Sequence, residues 1–408
     1  MIYQTYRMPN GIRIVHKETK SEVAHCGLYI NAGSRDEDLN EQGLAHFVEH
    51  VLFKGTQKRH AHHILSNMEN VGGEMNAFTT KEDTCLHASF LYQYYARWFD
   101  LVSDILFKSV FPAKELQKEK DIIIDEINSC KDNPGEQIFD DFDGVVFAGH
   151  SLGRNILGTP AHLRKFSKKH IENFIMRTYA SEEMVISSVG RIRFNDLIRL
   201  VQKYFGHVPS TVRQNDRSVF TGYATSEKTV KRNNHQAHCI LGAPAFHASH
   251  PNKTAMILLN NILGGPGLNS RLNMAVREKH GFCYTIESNY QPFSDTGIFT
   301  IYFGTGPDEV GKTLSLIYKE LGRLRNEPLG TMQLARAKRQ LAGQIAISLE
   351  SNMAEMISIG KSLQLYDKVD SLEEIYQRID SVTANEVLET AREILDPARL
   401  SMLTYKPR

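Results

Sequence analysis

His46, Glu49 and His50 fall within five consecutive positions, His46-Phe47-Val48-Glu49-His50. On a helix turning about 100° per residue, positions four apart share a face, so both imidazoles of this stretch can meet one metal ion. Zinc accepts imidazole nitrogen, and a catalytic zinc takes three protein ligands and leaves a fourth position for water. Water held in that way has a pKa near about 7, and a neighbouring carboxylate can take its proton as the oxygen attacks a carbonyl carbon. The chemistry implied is metal-assisted hydrolysis, with His46 and His50 as ligands and Glu49 as general base. Taken singly, a buried histidine is more often satisfied by a backbone carbonyl. Two at this spacing, with a carboxylate beside them, favour the metal.

Leu44, Phe47, Val48, Val51 and Leu52 recur at helical spacing around the motif. A helix is therefore expected over 44–53, with Gly43 near its start and Lys54-Gly55-Thr56 as its stop. A third ligand has to come from elsewhere. The acidic run Glu115–Ile127, inside a helix expected over 114–131, is the obvious source. Glu119 and Glu126 stand seven apart, two turns along one face with Ile122, Ile123 and Cys130. Chemistry does not choose among these acids, and a solvated acidic face is the competing reading.

With 408 residues the chain is too long for one ordinary domain, and two are expected. The lapse into Gly-His-Val-Pro-Ser-Thr-Val-Arg-Gln-Asn-Asp-Arg after Phe205 divides it into 1–210, a linker 211–225, and 226–408. Ala24-His25-Cys26 recurs as Ala237-His238-Cys239, each opening a strand that a loop and an apolar helix (44–53 and 254–263) follow. A tandem duplication is the natural hypothesis. Further helices are expected at 90–110, 161–178, 308–326 and 331–350, and strands at 74–79, 84–91, 183–189, 283–290 and 297–304. They do not alternate strictly. An α+β fold of two homologous domains follows, each a mostly antiparallel sheet packed with helices.

The formal net charge of +1 gives no reason to expect nucleic acid or an anionic membrane as a main partner. Five scattered cysteines without a CxxC pair read as free thiols in a reducing compartment. No leader and no membrane-spanning run is expected, so the cytoplasm is the favoured location.

The HxxEH element and the acidic helix together resemble the inverzincin metallopeptidases of the M16 group, which includes pitrilysin, insulin-degrading enzyme and mitochondrial processing peptidase. In that group the third ligand is a glutamate that matches Glu126, 76 positions past His50. A second family glutamate matches Glu119, which would steady the site by holding a ligating histidine or the water network. Gly72-Gly73-Glu74-Met75-Asn76-Ala77-Phe78-Thr79 is similar to a family segment on which substrate lies as an added strand, making Asn76 and Ala77 contact positions. Arg277 and Tyr284, in Ser270-Arg271-Leu272 through Tyr284, match the family's Arg/Tyr pair, suited to hold a substrate carbonyl and stabilise the oxyanion. Gly264-Gly265-Pro266-Gly267 is shorter than the glycine-rich loop of non-catalytic processing-peptidase subunits.

The resemblance implies the duplicated metallohydrolase fold, one Zn2+ per chain and a zinc endopeptidase acting on peptides or unfolded segments in a chamber. Family chains of this length usually pair, which implies a homodimer, or a heterodimer with a paralogous chain, with Arg277 and Tyr284 serving the partner's zinc. The competing class is a non-catalytic core or assembly subunit of the same fold. Such chains have generally lost ligands or the base, and all four positions are filled here.

Overall fold

The computed structural model describes residues 3–214 and 216–408. They pack as two compact units. The first comprises the chain up to Asn128, Arg154–Arg217 and Ile347–Ser371. The second comprises Ser129–Gly153, Ser218–Ala346 and Leu372–Arg408.

The first unit holds a six-stranded sheet of β1 (Gln4–Arg7), β2 (Arg13–Glu18), β3 (Val23–Ile30), β4 (Glu74–Thr79), β5 (Thr84–Leu91) and β6 (Met184–Gly190), in the order β1-β2-β6-β3-β5-β4. The second holds β7 (Glu227–Arg232), β8 (Ala237–Ala245), β9 (Cys283–Pro292), β10 (Gly297–Thr305) and β11 (Ser401–Pro407), in the order β7-β11-β8-β10-β9. Strand by strand, β2 to β6 correspond to β7 to β11: β2 and β6 pair in parallel, as do β7 and β11, and the other pairings are antiparallel. The repeated Ala-His-Cys lies on the corresponding strands β3 and β8. This is the α+β duplication expected from the sequence, with β1 added through the Asn10-Gly11 hairpin.

Packing does not follow chain order in two places. The helix Asn352–Tyr366, from the second half of the sequence, packs in the first unit against β3 and β6. The helix Pro134–Val146, from the first half, packs in the second unit against β8 and β11. These helices lie in corresponding positions, each between the last two strands of its half. Each supplies what a two-faced sheet requires. In β3, Cys26, Leu28 and Ile30 join the main core, whereas Tyr29 lies on the opposite face with Met356, Ile359 and Leu363. The helix approaches closely at Gly360, where a Cβ would stand 2.5 Å from the Tyr29 ring. Its anchors are polar: Glu355, 1 % exposed, accepts from Tyr3 Oη at 2.8 Å and pairs with Lys17 Nζ at 2.5 Å. Lys361 Nζ reaches Asp83 at 3.0 Å.

The expected helices are present with ends shifted by a few residues. That over 90–110 begins at Tyr95, after a 3-10 turn at Tyr92–Tyr94, and that over 161–178 is broken into Pro160–Leu163 and Lys168–Thr178. Among the described residues no helix is long and apolar enough to cross a membrane.

Candidate metal centre and active site

The motif helix runs Leu44–Leu52, between β3 and the edge strand β4. Leu44, Phe47, Val48, Val51 and Leu52 are buried in the first core, which fixes the helix's rotation. His46 and His50 then share the remaining face, their ring centroids 4.6 Å apart. The acidic helix runs Ala113–Asp132 and buries Leu116, Ile123 and Ile127 in the same core. That burial turns Glu119 and Glu126 toward the histidines. Ile122, which shares their face in sequence, is half exposed.

His46, His50 and Glu126 each offer one donor atom, and these lie within 4.8 Å of one another, the one such cluster among the described residues. Nε2 of His46 and Nε2 of His50 are each 3.9 Å from a Glu126 carboxylate oxygen. That is too long for a hydrogen bond and close to the edge of about 3.4 Å that a tetrahedron with 2.0–2.2 Å bonds requires. Three polar groups thus face one point without bonding each other. Burial, together with neighbouring His50, pushes His46 down to about 3, so its ring is neutral and offers a lone pair. His46 Nδ1 is buried without a partner among the described residues. Two imidazoles and a carboxylate are a donor set that suits zinc.

Glu119 does not join the cluster. It is 3 % exposed, and its Oε2 accepts from Nδ1 of His50 at 3.2 Å, which sets the tautomer and leaves Nε2 free for a metal. Its Oε1 pairs with Lys54 Nζ at 2.7 Å. Burial opposes ionisation of Glu119, but the hydrogen bonds and charges of His50 and Lys54 outweigh it and hold the carboxyl below its usual range.

Glu49 faces the same space. Its Oε2 accepts from Thr79 Oγ1 at 2.6 Å, from the last residue of β4. Burial raises its carboxyl above the ordinary range, and the Thr79 bond and His50 partly oppose that rise. A cavity of about 240 Å³ adjoins it, lined by Phe53, Leu65 and Met75 together with Glu49, His50 and Glu119. Asn76 and Ala77 line the same cavity on β4, whose far side has no neighbouring strand among the described residues. Asn76 is exposed, and its Oδ1 accepts from the Ala77 N–H at 2.8 Å.

Arg277 and Tyr284 belong to the second unit. Arg277 lies in a π-helical turn, Asn273–Glu278, and its Cζ stands 5.1 Å from the Tyr284 ring centroid, a cation–π pairing. The Tyr284 side chain is 81 % exposed. Both line a cavity of about 630 Å³ with the Gly264–Gly267 loop. The helix of this unit that corresponds to the motif helix, Lys253–Gly264, contains no His, Asp, Glu or Cys. Thr79 and Lys54 are the contacts that spacing did not reveal. Thr79 stood inside a recognised segment, and only the register of β4 beside the motif helix brings its hydroxyl to Glu49.

A duplicated sheet with one furnished and one bare motif helix defines a class, and the chain belongs to peptidase family M16. Residues 13–160 match the family described as Insulinase (Peptidase family M16), and residues 165–341 match Peptidase M16 inactive domain. Among similar proteins, the uncharacterized zinc protease SCO5738 of Streptomyces coelicolor is 35% identical, over 95% of this chain and 86% of its own. The uncharacterized zinc protease YmxG of Bacillus subtilis is 33% identical, over 95% of each chain. The mitochondrial-processing peptidase subunit beta of Saccharomyces cerevisiae is 28% identical, over 98% of this chain and 90% of its own. In fold, the chain is similar to a Pseudomonas fluorescens structure titled as a peptidase M16 inactive domain, with a TM-score of 0.92 at 21% identity, covering 100% of this chain and 99% of that one.

Proposed function

We propose that this chain is a zinc-dependent endopeptidase, carrying one zinc on His46, His50 and Glu126 and hydrolysing peptides or unfolded segments. The observation that carries the reading is the convergence of those three donors beside Glu49 and an open sheet edge. When bound there, zinc polarises the scissile carbonyl and lowers the pKa of water to about 7.

The remaining work falls to the chain's own groups. Glu49 takes the proton of the attacking water and returns it to the leaving amine, a task for a carboxyl raised above its ordinary range. Thr79 holds Glu49 in orientation, and Glu119 holds His50. A peptide added along β4 is bound through its main chain, with little dependence on its side chains. Phe53, Leu65 and Met75 favour an apolar side chain beside the scissile bond. The Arg277 guanidinium and Tyr284 hydroxyl are donors suited to an oxyanion. In the proposed form they serve a partner chain's site across a cytoplasmic homodimer that encloses the substrate, with a paralogous chain as the other candidate partner. A non-catalytic assembly role is disfavoured, because every ligand position and the base are filled.

The test is turnover of a quenched fluorescent peptide library by the purified chain. Hydrolysis should vanish on chelation and return with zinc. Protein with one zinc per chain that cleaves nothing, alone or with a paralogous chain, would refute the reading.

A further inference from the structure

The motif helix starts without a cap of its own. Gly43 stands at its N-cap with φ 92°, and a Cβ there would meet the Leu157 carbonyl oxygen at 2.6 Å, so no Ser, Thr or Asp fits. The first N–H groups of a helix have no partners within it. Here a carboxylate from six residues earlier takes two donors at this end. Glu37 Oε2 accepts from the Gly43 N–H at 3.1 Å, and Oε1 accepts from the Ala45 N–H at 2.8 Å. Glu37 is 4 % exposed. Burial raises its carboxyl, and the two N–H groups and Arg154 oppose that rise.

Glu37 is itself held on several sides. Arg154 Nη1 donates to its main-chain oxygen at 2.7 Å. Ser34 and Arg35 N–H groups donate to the Thr80 and Lys81 carbonyls at 3.1 and 2.7 Å. Asp36 pairs with Arg213 and Arg217 at 2.5 and 2.8 Å. The turn carrying Glu37 is thus fastened to the loop that follows β4, and β4 ends in Thr79, which holds Glu49. His46 sits in the first turn of the helix, so any shift of the helix start passes directly to its ring.

We infer that Glu37 is a positioning residue: it sets where the first turn of the motif helix lies relative to Glu126 and thereby tunes metal affinity, beyond any share in fold stability. The inference rests on reading the donor cluster as a zinc site. A buried partner that orients ligands in this way typically changes metal affinity by about tenfold to hundredfold. Gln at position 37 keeps the shape, but it has one acceptor oxygen where the carboxylate uses two, so the two N–H bonds cannot both keep their geometry.

The experiment measures zinc affinity by chelator competition and the cobalt(II) absorption spectrum, for wild type, Glu37→Gln and Lys17→Met, each with a thermal melt. Lys17→Met breaks the Lys17–Glu355 pair that anchors the helix Asn352–Tyr366, a pair that touches neither Glu37 nor the motif helix. The expected result is zinc affinity lowered about tenfold or more with an altered cobalt spectrum in Glu37→Gln, and wild-type values for both in Lys17→Met. Wild-type affinity in Glu37→Gln, or an equal loss in Lys17→Met, would make Glu37 a structural cap and overturn the inference. Should Glu37→Gln not fold, Arg154→Gln releases the hold on Glu37, and unchanged affinity there overturns it equally. Wild-type protein that takes up no zinc would sink the metal reading itself, which is a different result.

Discussion

Replacing Glu119 with Gln asks whether the carboxylate behind His50 serves the metal or only the packing of Lys54. One oxygen of this buried group accepts from His50 Nδ1 at 3.2 Å, and the other pairs with Lys54 Nζ at 2.7 Å. Glutamine preserves the shape and can still accept from Nδ1–H, but it carries no charge. Stability and metal affinity should respond separately. Breaking a fully buried ion pair costs about 3–5 kcal/mol. The Lys54 side chain is 20 % exposed, so its ammonium can reach water, and about 1–2 kcal/mol is expected. Loss of the charged acceptor behind a ligating histidine should weaken zinc binding about tenfold to hundredfold, or about 1.4–2.7 kcal/mol. Adding Lys54→Met removes the unpaired ammonium. The double variant should therefore regain most of the metal-free stability while zinc affinity stays low. Urea unfolding of the metal-free protein and chelator competition read the two quantities independently. Recovery of zinc affinity in the double variant, or wild-type affinity in Glu119→Gln, would refute the assignment.

Acid should weaken the metal-free protein through His46. Its folded pKa, about 3, lies below the ordinary 6.5, so the unfolded chain binds more protons between those values. This stabilisation is complete above about pH 6.5 and is lost on acidification, by roughly 2 kcal/mol at pH 5. Urea midpoints at pH 7 and 5 should show that fall in wild type, and a smaller one in His46→Gln. Lys17→Met should destabilise the fold by about 2–4 kcal/mol, because it removes the cation paired with the buried Glu355 carboxylate and leaves it the Tyr3 hydroxyl; a melt within 1 °C of wild type would contradict this. Arg277→Gln and Tyr284→Phe should each lower kcat about 10- to 1000-fold without changing zinc content, if each supplies an oxyanion donor. Steady-state kinetics with metal analysis checks both.

The motif helix and the strands that matched across the two halves could be read from sequence, because apolar periodicity and residue spacing encode them directly. Glu119 and Glu126 were placed on one face by their spacing of seven, while the choice of Glu126 as ligand came from family resemblance. The exchange of helices 134–146 and 352–366 left no trace of that kind. An amphipathic helix carries its apolar stripe but no mark of which sheet will cover it. Glu37 and Thr79 were also invisible, since a carboxylate in the charged loop 34–41 looks solvated and a strand threonine looks ordinary. Their roles follow from burial and register. The π-helical turn under Arg277 likewise depends on how 269–283 packs, not on a local signal.

Glu49→Gln separates metal binding from hydrolysis in a single substitution. Glutamine there can still accept the Thr79 hydrogen bond, and His46, His50 and Glu126 are untouched, so metal binding should persist. Zinc content and peptide turnover should be measured on the same preparations of wild type and variant. One zinc per chain is expected in both, with hydrolysis confined to the wild type. Hydrolysis by Glu49→Gln at a rate near that of wild type would contradict it.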